Sequence, residues 1–521
     1  MTVAGATRPA SVPAIRSFIR GQRHRRWYDW YAMAFMVALV AFVLSDFLAA
    51  PFNRLLTSGS TPPPQAQAGA ALVIAAGAGL VMLAQLLGPL ALSPADASWL
   101  LLSPLDRRAV LRRPARTVIV LCVVTGALLG VLALTMAGPY LRHGARPALW
   151  AWLLTAATSG AGFFVAVVLI AVLSQPRPRW RARLRAACAA VAVAAALAAL
   201  SGQRWAAIPR HVIAVFADLS TSTAGVIAVA AVVIACAAGL LVLLALPRFP
   251  AGVLSTDSAR AGMTRLAAAY LNVPLLTWIA EDSHWRGRLL KPRRWPRAFS
   301  PDRTMTPAWA LAWVDWRRLA RRPALLFALA GGSLAPAVVG TALTGHARGY
   351  GTAAVLLGGA LAAAVQGTAA TRRDSNDPAL FRLLGVDFKK ALSARAVLPA
   401  LLGAAWLLLA FTVLVLAGVL SGWLWPLTGL AAGPGLAVAA LRIARTGPVN
   451  PADQGPDTPL GPIPPWLIVR AGSVLVGVLA CYPVLAAVPA GRVHAGTLAA
   501  QLAVSAIVLG GYLLLARDYR A

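Results

Sequence analysis

The chain has 521 residues, of which 59% are apolar and only 12% are charged, and its mean hydropathy is +0.72. A soluble protein carries about twice that charged fraction, so the composition excludes an ordinary soluble protein and favours a membrane protein. The net charge of +32 would also suit a nucleic-acid-binding protein. We exclude a nucleic-acid partner because the Arg residues fall in short loops between apolar stretches, where the positive-inside rule explains them better.

Twelve apolar stretches follow one another along the chain, and each is about as long as the roughly 20 residues that a helix needs to cross the bilayer core. The first six predicted spans lie near residues 32–50, 70–93, 117–138, 148–174, 186–203 and 222–246. The second six lie near residues 323–343, 352–371, 396–419, 423–441, 466–488 and 496–515. The pattern predicts an all-α integral membrane protein with about 12 transmembrane helices.

The cationic residues lie mainly on one side of these spans. The odd-numbered loops, counted from the first, contain only seven of the 48 Lys and Arg residues, namely Arg54, Arg142, Arg146, Arg204, Arg210, Arg348 and Arg492. Cytoplasmic loops are the ones enriched in Lys and Arg. The bias predicts a multi-pass protein of the cell membrane with both termini in the cytoplasm. Residues 1–30 are too polar for a cleavable signal peptide.

Residue types that commonly carry catalysis are scarce. All four cysteines lie in predicted spans without C-x-x-C spacing, so we predict neither disulfides nor metal ligands. The sequence has no P-loop, H-E-x-x-H or G-x-S-x-G motif, and we therefore predict neither an enzyme nor a cofactor. Of 16 acidic residues, only Asp46 falls within a predicted span. This argues against a proton- or sodium-coupled carrier, which needs carboxylates inside the membrane.

The two halves of the chain share one order of segments. Each half opens with a basic, Trp-rich amphipathic stretch, at residues 15–30 and 309–322. After the second span of each half comes an Asp, a Leu-rich turn, another Asp and a basic pair. We therefore predict a tandem repeat of two six-helix bundles at residues 1–246 and 306–521, joined by a basic cytoplasmic linker at 247–305. Because six is even, both halves have the same orientation and are related by a pseudo-twofold axis along the membrane normal.

This order of segments, together with Leu-Leu-Leu-Ser-Pro-Leu-Asp-Arg-Arg at residues 100–108, resembles the permeases of ABC-2-type transporters. The resemblance is to an actinobacterial branch in which two six-span halves are fused. In the second half Gly385 replaces the proline of the motif. The resemblance implies a permease without an ATPase of its own and one or more separate ATP-binding subunits. It also implies coupling helices at about residues 95–112 and 376–393, which dock those subunits on the cytoplasmic side.

An apolar stripe flanked by charges independently suits a groove on a partner protein. The candidate docking residues are Asp96, Trp99, Leu102, Leu105, Asp106, Arg107 and Arg108 in the first half, and Asp377, Phe381, Leu384, Asp387, Lys389 and Lys390 in the second. The alternative is a helix lying among the lipid headgroups with its basic pair on phosphates. Asp96 and Asp106 are expected to cap helices or to form ion pairs rather than to catalyse.

Four of the six histidines lie in predicted outer loops, each near an arginine. These residues are Arg142, His143, Arg210, His211, His346, Arg348, Arg492 and His494. If the loops converge, they form a basic outer rim that contacts anionic lipid or substrate and responds to pH. Ordinary headgroup contact by separate loop ends is the alternative that we favour.

Two G-x-x-x-G spacings, Gly126–Gly130 and Gly418–Gly422, fit close packing between membrane helices. The spacing is common in Gly-rich spans. It indicates where another helix could approach closely, but it does not identify that helix.

Together these patterns favour the permease of an ABC-type exporter. The small outer loops and apolar interior favour an amphiphilic or lipid-like substrate. A secondary transporter and a non-transporting membrane scaffold are the alternatives. Pairing with a second copy of the chain stays open, as does the question of whether both halves dock an ATPase.

Overall fold

The computed structural model describes residues 63–101, 103, 106–137, 149–201, 221–269, 275, 277–279, 281–282, 306–376, 385–446, 457–458, 461–462 and 465–516. These residues are almost entirely helical, and β1 (Asp457–Thr458) and β2 (Gly461–Pro462) form a small antiparallel pair. Ten helical segments are long and apolar enough to cross a membrane. The chain is therefore a helical, multi-pass integral membrane protein.

The first seven helices are α1 (Pro63–Leu87), α2 (Pro94–Leu100), α3 (Arg107–Ala137), α4 (Leu149–Ser174), α5 (Pro178–Leu200), α6 (Thr221–Ala245) and α7 (Ala251–Ala269). The next eight are α8 (Pro307–Ala320), α9 (Pro323–Gly332), α10 (Ala335–Ala342), α11 (Gly345–Gln366), α12 (Ala369–Asn376), α13 (Phe388–Leu416), α14 (Leu424–Ala431) and α15 (Gly433–Arg445). The last three are α16 (Pro465–Ala480), α17 (Tyr482–Ala487) and α18 (Ala495–Leu515).

Ten of the twelve predicted spans coincide with these candidate membrane helices. The first predicted span, residues 32–50, lies outside the described residues, as does the amphipathic stretch at 15–30. The eleventh, residues 466–488, is divided between α16 and α17. The second amphipathic stretch forms α8, which begins at Pro307 and ends at Ala320.

The helices group into two compact units whose borders differ from the predicted halves. Of the described residues, the first unit takes those within 63–66, 76–188 and 221–262, and the second takes those within 67–75, 189–201 and 263–516. Small residues of α1 and α5 therefore belong to the second unit, where Ala71 and Ala199 pack in one buried cluster with Ala342 of α10. The predicted halves at residues 1–246 and 306–521 rest on the sequence repeat and stay a prediction.

Helix α4 is the centre of the first unit and packs against α3 and α6. Its contact with α3 is close because both helices present glycines there. A Cβ added to Gly130 would lie 2.0 Å from the carbonyl oxygen of Ala156, and one added to Gly126 would lie 2.6 Å from that of Gly160. The Gly126–Gly130 spacing is thus a helix-packing surface, as expected for small residues in membrane helices.

The Gly418–Gly422 spacing has a different role, and its assignment to helix packing is wrong. Both glycines lie beyond the end of α13, with φ of +68° and +107°. Residues other than glycine rarely adopt a positive φ. The two glycines therefore turn the chain between α13 and α14.

Helix α15 is the most deeply buried candidate span and packs against α13, α16, α18 and α11. Three predicted spans of the second unit, including the one that contains α15, are each divided into two helices. The breaks fall at Ser333, Ala432 and Cys481. All three break residues are buried, as irregular backbone at membrane depth must be unless it lines a water-filled cavity. The second helix of each pair carries a proline in its first turn: Pro336, Pro434 and Pro483. Proline lacks the N–H that would continue the preceding helix.

Gln501 of α18 supports the backbone at the Cys481 break. Its fully buried side chain donates from Nε2 to the Ala480 carbonyl at 2.7 Å and to the Ser505 hydroxyl at 3.0 Å. Its Oε1 accepts from the Val484 N–H at 3.3 Å. One side-chain amide thereby satisfies a carbonyl at the end of α16 and an N–H in α17.

Replacing Gln501 with methionine, which has a similar length, should lower the free energy of unfolding by about 1–3 kcal/mol. The reason is that the Ala480 carbonyl and the Val484 N–H would stay buried without partners. Thermal unfolding in detergent micelles measures the loss. Ser505→Ala removes only the third hydrogen bond of this group, and we expect it to cost less. Equal stability of Gln501→Met and the wild type would refute the role given to this amide.

Candidate functional site

The first predicted docking segment, residues 95–112, is not one helix. α2 ends at Leu100 and α3 begins at Arg107, so the basic residues from Arg107 onward belong to a membrane-spanning helix. Leu102 and Leu105 lie outside the described residues. Leu100 and Leu101 are buried, whereas Trp99 is 77% exposed. The segment therefore rests on the protein through its leucines and leaves the Trp99 indole open to a partner or to lipid.

The acidic residues of this segment stabilise helix ends. The Ser93 hydroxyl accepts from the Asp96 N–H at 3.0 Å, which places Asp96 in the first turn of α2, where a carboxylate is favoured by the helix dipole. Asp106 Oδ1 accepts from the Arg108 N–H at 3.1 Å at the start of α3. Asp106 is thus a helix cap, as expected from its type and position.

A buried carboxylate, Asp257 of α7, anchors the chain that leads into α2. Its Oδ2 accepts from Gln175 Nε2 at 2.7 Å and from Arg181 Nη2 at 2.9 Å, and its Oδ1 accepts from Arg260 Nη1 at 3.3 Å. Gly88 adopts φ of +78°, and a Cβ there would lie 2.5 Å from the Asp257 Cβ. Only glycine lets the backbone pass this close to the carboxylate.

Two further hydrogen bonds hold the same stretch. Gln175 Oε1 accepts from the Leu90 N–H at 3.3 Å, and the Ser258 hydroxyl accepts from the Leu92 N–H at 2.9 Å. Arg107 donates from Nη1 to the Phe249 carbonyl at 3.0 Å. The approach to α2 and the start of α3 are both fastened to the chain around α7. Sequence reasoning missed this cluster, and its only local signal is the Gly88-Pro89 pair.

The second predicted docking segment, residues 376–393, is described only at its two ends. Asp377, Phe381 and Leu384 lie outside the described residues. Asp387 caps α13, because its Oδ2 accepts from the Lys390 N–H at 3.2 Å. The side chains of Lys389 and Lys390 are exposed, and Lys389 Nζ donates to the Leu514 carbonyl at 3.3 Å. In both predicted segments an Asp thus caps the start of a long helix, and exposed basic residues follow within that helix's first turn.

Arg395 joins three helices of the second unit. It is 6% exposed, donates from Nη1 to Asp315 Oδ1 of α8 at 2.7 Å, and donates from Nε to Asp374 Oδ2 of α12 at 3.0 Å. Its Nη2 also donates to Asp374 Oδ1 at 3.4 Å, which makes the contact with Asp374 bidentate, as suits the planar guanidinium. The amphipathic helix α8 and the short helix α12 are thereby held to the start of the long span α13.

Burial dominates the electrostatics of this triad. Burial raises the pKa of Asp315 to about 6, although the charges of Arg395 and Arg318 act in the opposite direction. Burial also raises the pKa of Asp374, again against the attraction of Arg395. Both carboxyl groups therefore bind a proton more readily in the folded protein than in the unfolded chain.

Stability should consequently fall as pH rises through this range. Between the ordinary pKa of 3.8 and about 6, folded Asp315 keeps a proton that the unfolded chain has already lost. The free energy of unfolding should therefore decrease across that window, by about 3 kcal/mol from Asp315 alone, and level off above it. In Asp315→Asn the decrease should shrink to the part that Asp374 contributes. Thermal unfolding across the window tests this, and identical pH profiles for both proteins would contradict it.

Half of the predicted outer rim lies within the described residues. His346 and Arg348 begin α11, Arg492 and His494 precede α18, and all four are exposed. Arg348 donates from Nη2 to the Val419 carbonyl at 3.3 Å, and the Ser421 N–H donates to the Gly491 carbonyl at 3.4 Å. Three loops of the second unit therefore meet at one end of it. The other rim residues, Arg142, His143, Arg210 and His211, lie outside the described residues.

No metal centre is evident in the part of the chain that the structure describes, where no three His, Cys, Asp or Glu side chains come together. The described groups that can act on a partner are therefore the exposed Trp99, the exposed cations at the starts of α3 and α13, and the arginines around α8 and α12.

Comparison with known proteins gives one match. The model of a family of unknown function, DUF6297, matches residues 62–451. Nothing among curated proteins and nothing among solved structures matches the chain. The matched region covers both predicted docking segments, the Asp257 cluster and the Arg395 triad.

Proposed function

The chain belongs to the DUF6297 family of unknown function, and from that premise we propose that it is the membrane-spanning permease subunit of an ABC-type exporter. ATP would be hydrolysed by a separate ATP-binding subunit on the cytoplasmic side. The substrate would be amphiphilic or lipid-like. The proposal includes twelve spans arranged as two parallel halves, with both termini in the cytoplasm of a cell-membrane protein.

One observation carries this proposal: α2 presents an exposed Trp99 while the chain on either side of it is fastened to the protein. The Asp257 cluster holds residues 88–92, and the Asp106 cap and the Arg107–Phe249 hydrogen bond hold the start of α3. A force applied to the Trp99 surface would act on a helix whose preceding chain is held at Leu92 and whose following helix, α3, is held at Arg107. This is the requirement for a helix that couples a separate ATPase to a membrane span.

The second unit supplies elements that could change shape. Its three divided spans each carry a proline just after the break, at Pro336, Pro434 and Pro483, and such positions are where a membrane helix bends. In each half the fourth predicted span is the most buried of the candidate spans of that half, α4 in one and the α14–α15 span in the other. This similarity favours the internal repeat.

The alternatives make different demands. A proton- or sodium-coupled carrier needs ionisable groups within the bilayer, and the ten candidate spans contain no Asp or Glu. Transport driven by an ion gradient without any ATPase would nevertheless establish it. A non-transporting scaffold would bind cytoplasmic partners without a substrate path, and it stands as the second alternative.

Affinity isolation of the tagged chain from native membranes tests the proposal. We expect an ATP-binding-cassette subunit to be recovered with the wild type and to be lost with Trp99→Asp. Because Trp99 is 77% exposed, this change should leave folding intact. Trp180→Asp alters another exposed tryptophan of the same unit, 56% exposed, and should retain the subunit. Recovery of the chain alone would favour the carrier or the scaffold.

A further inference from the structure

The only glutamate of the chain, Glu281, is 6% exposed and is surrounded by arginines of the second unit. Arg318 of α8 forms an ion pair with its carboxylate, and Arg373 Nη2 of α12 lies 3.9 Å from Oε1. Arg322, between α8 and α9, and Arg372 of α12 lie near enough for the carboxylate to act on their charges. Two guanidinium groups thus lie against one carboxylate, and two more, Arg322 and Arg372, lie within reach of its charge.

Negative charge in this region does not match the positive charge. Asp315 and Asp374 are already engaged by Arg395. Asp282, the residue after Glu281, adds one carboxylate, so among the described residues outside the Arg395 triad the four arginines stand beside two carboxylates. Surface arginines of short loops normally keep their charges in water, where such an excess costs little. Here the side chains of Arg322 and Arg372 are partly buried.

Burial changes the pKa of two of these arginines. It lowers the pKa of both Arg322 and Arg372, and repulsion from Arg318 lowers it further, while the attraction of Glu281 acts the other way. Two buried polar atoms, Arg322 Nε and the Thr371 hydroxyl oxygen, have no hydrogen-bond partner among the described residues. The cluster thus combines under-compensated positive charge with hydrogen-bonding groups still to be satisfied.

We propose that this arginine cluster binds a phosphate group. Planar guanidinium forks match the oxygens of phosphate, and hydrogen bonds between ionised groups are about twice as strong as neutral ones. The cluster adjoins the ends of two candidate spans, Pro323–Ala342 and Gly345–Gln366. On α8 the exposed Trp309 and Trp316 are residues of the kind found at headgroup level. This position suits the headgroup of an anionic phospholipid, and a phosphate compound in solution has the same chemistry.

The test uses the full-length protein in detergent, titrated separately with phosphatidylglycerol and with inorganic phosphate. The readouts are the thermal unfolding midpoint and lipid retention in native mass spectrometry. The double variant Arg322→Gln/Arg372→Gln should bind at least about tenfold more weakly, since it loses two charge-assisted contacts. Arg112→Gln/Arg113→Gln removes the same charge from exposed positions on α3 and should bind as the wild type does.

The outcomes separate the two sources of phosphate. A saturable effect of phosphatidylglycerol alone assigns the site to a lipid headgroup, and one of inorganic phosphate alone assigns it to a soluble compound. If the double variant fails to fold, Arg373→Gln, with its side chain 65% exposed, should fold and still bind several-fold more weakly. Equal losses in the exposed-arginine control, or no saturable effect of either probe, would overturn the proposal. Neither readout depends on an ATPase subunit, so the result is independent of the transport proposal.

Discussion

Replacing Arg395 with methionine should lower the free energy of unfolding by about 3–5 kcal/mol, since breaking a buried ion pair leaves its partner charge uncompensated. Two carboxylates, Asp315 and Asp374, would lose their shared cation, and they belong to different helices. Protonation would relieve this cost. Without Arg395 the pKa of Asp315 should rise above its wild-type value of about 6, so we expect the defect to shrink as pH falls toward 6 and to change little below it.

Thermal unfolding of the purified chain, followed by tryptophan fluorescence above and below that pH, measures both effects. Lys390→Met is the matched control, because it removes a cation from an exposed position near the start of the same helix, α13. We expect the control to stay within about 0.5 kcal/mol of the wild type. If Arg395→Met and Lys390→Met have the same thermal unfolding midpoint, Arg395 does not hold the three helices.

Replacing Gly130 with leucine should cost about 3 kcal/mol, at the upper end of the range for overpacked sites. The added Cβ alone would lie 2.0 Å from the Ala156 carbonyl oxygen, and the obstacle is backbone that cannot rotate away. Helices α3 and α4 would have to separate along the packing surface around Gly126 and Gly160. That surface is the main support of α3, since α4 is its principal neighbour.

The recovery of monodisperse protein and its thermal unfolding midpoint report this change. Gly79→Leu is the control, because Gly79 is also within a candidate span and its added Cβ would meet no atom within 4 Å. Leucine has a better helix propensity than glycine, so the control should be neutral or slightly stabilising. A comparable loss of protein recovery and stability in both variants would mean that a large residue at any helical glycine disturbs membrane insertion. The α3–α4 contact would then not be the cause.

Hydropathy located the membrane helices well because long apolar runs are a strong, local signal. It could not show that three of them are divided, since a break does not change the hydropathy of a span. The proline dipeptides Ala335-Pro336, Gly433-Pro434 and Tyr482-Pro483 were the available signal. In a membrane helix such prolines are often tolerated, so the dipeptides alone do not separate a kink from a division.

In the candidate functional regions, too, features set by neighbouring residues could be predicted, whereas contacts between residues far apart in the sequence could not. The role of Asp106 as a cap follows from its residue type and neighbouring sequence, and that expectation is confirmed. Asp387 caps α13 in a similar way. The Arg395 triad joins residues 21 and 80 positions apart, and no local pattern pairs them. Arg395 also falls one residue before the predicted start of its span at 396. Sequence reasoning therefore read it as a loop cation and not as a buried link.

The amide that closes the Cys481 break also imposes an order on biogenesis. Six residues of α17 extend only about 9 Å, too little to cross a core about 30 Å thick. While the ribosome is still making α18, the Ala480 carbonyl and the Val484 N–H lack the partner that Gln501 later provides. The eleventh predicted span should therefore be held by the insertion machinery until the following helix arrives. Chains halted before residue 501 should be substrates for membrane quality control.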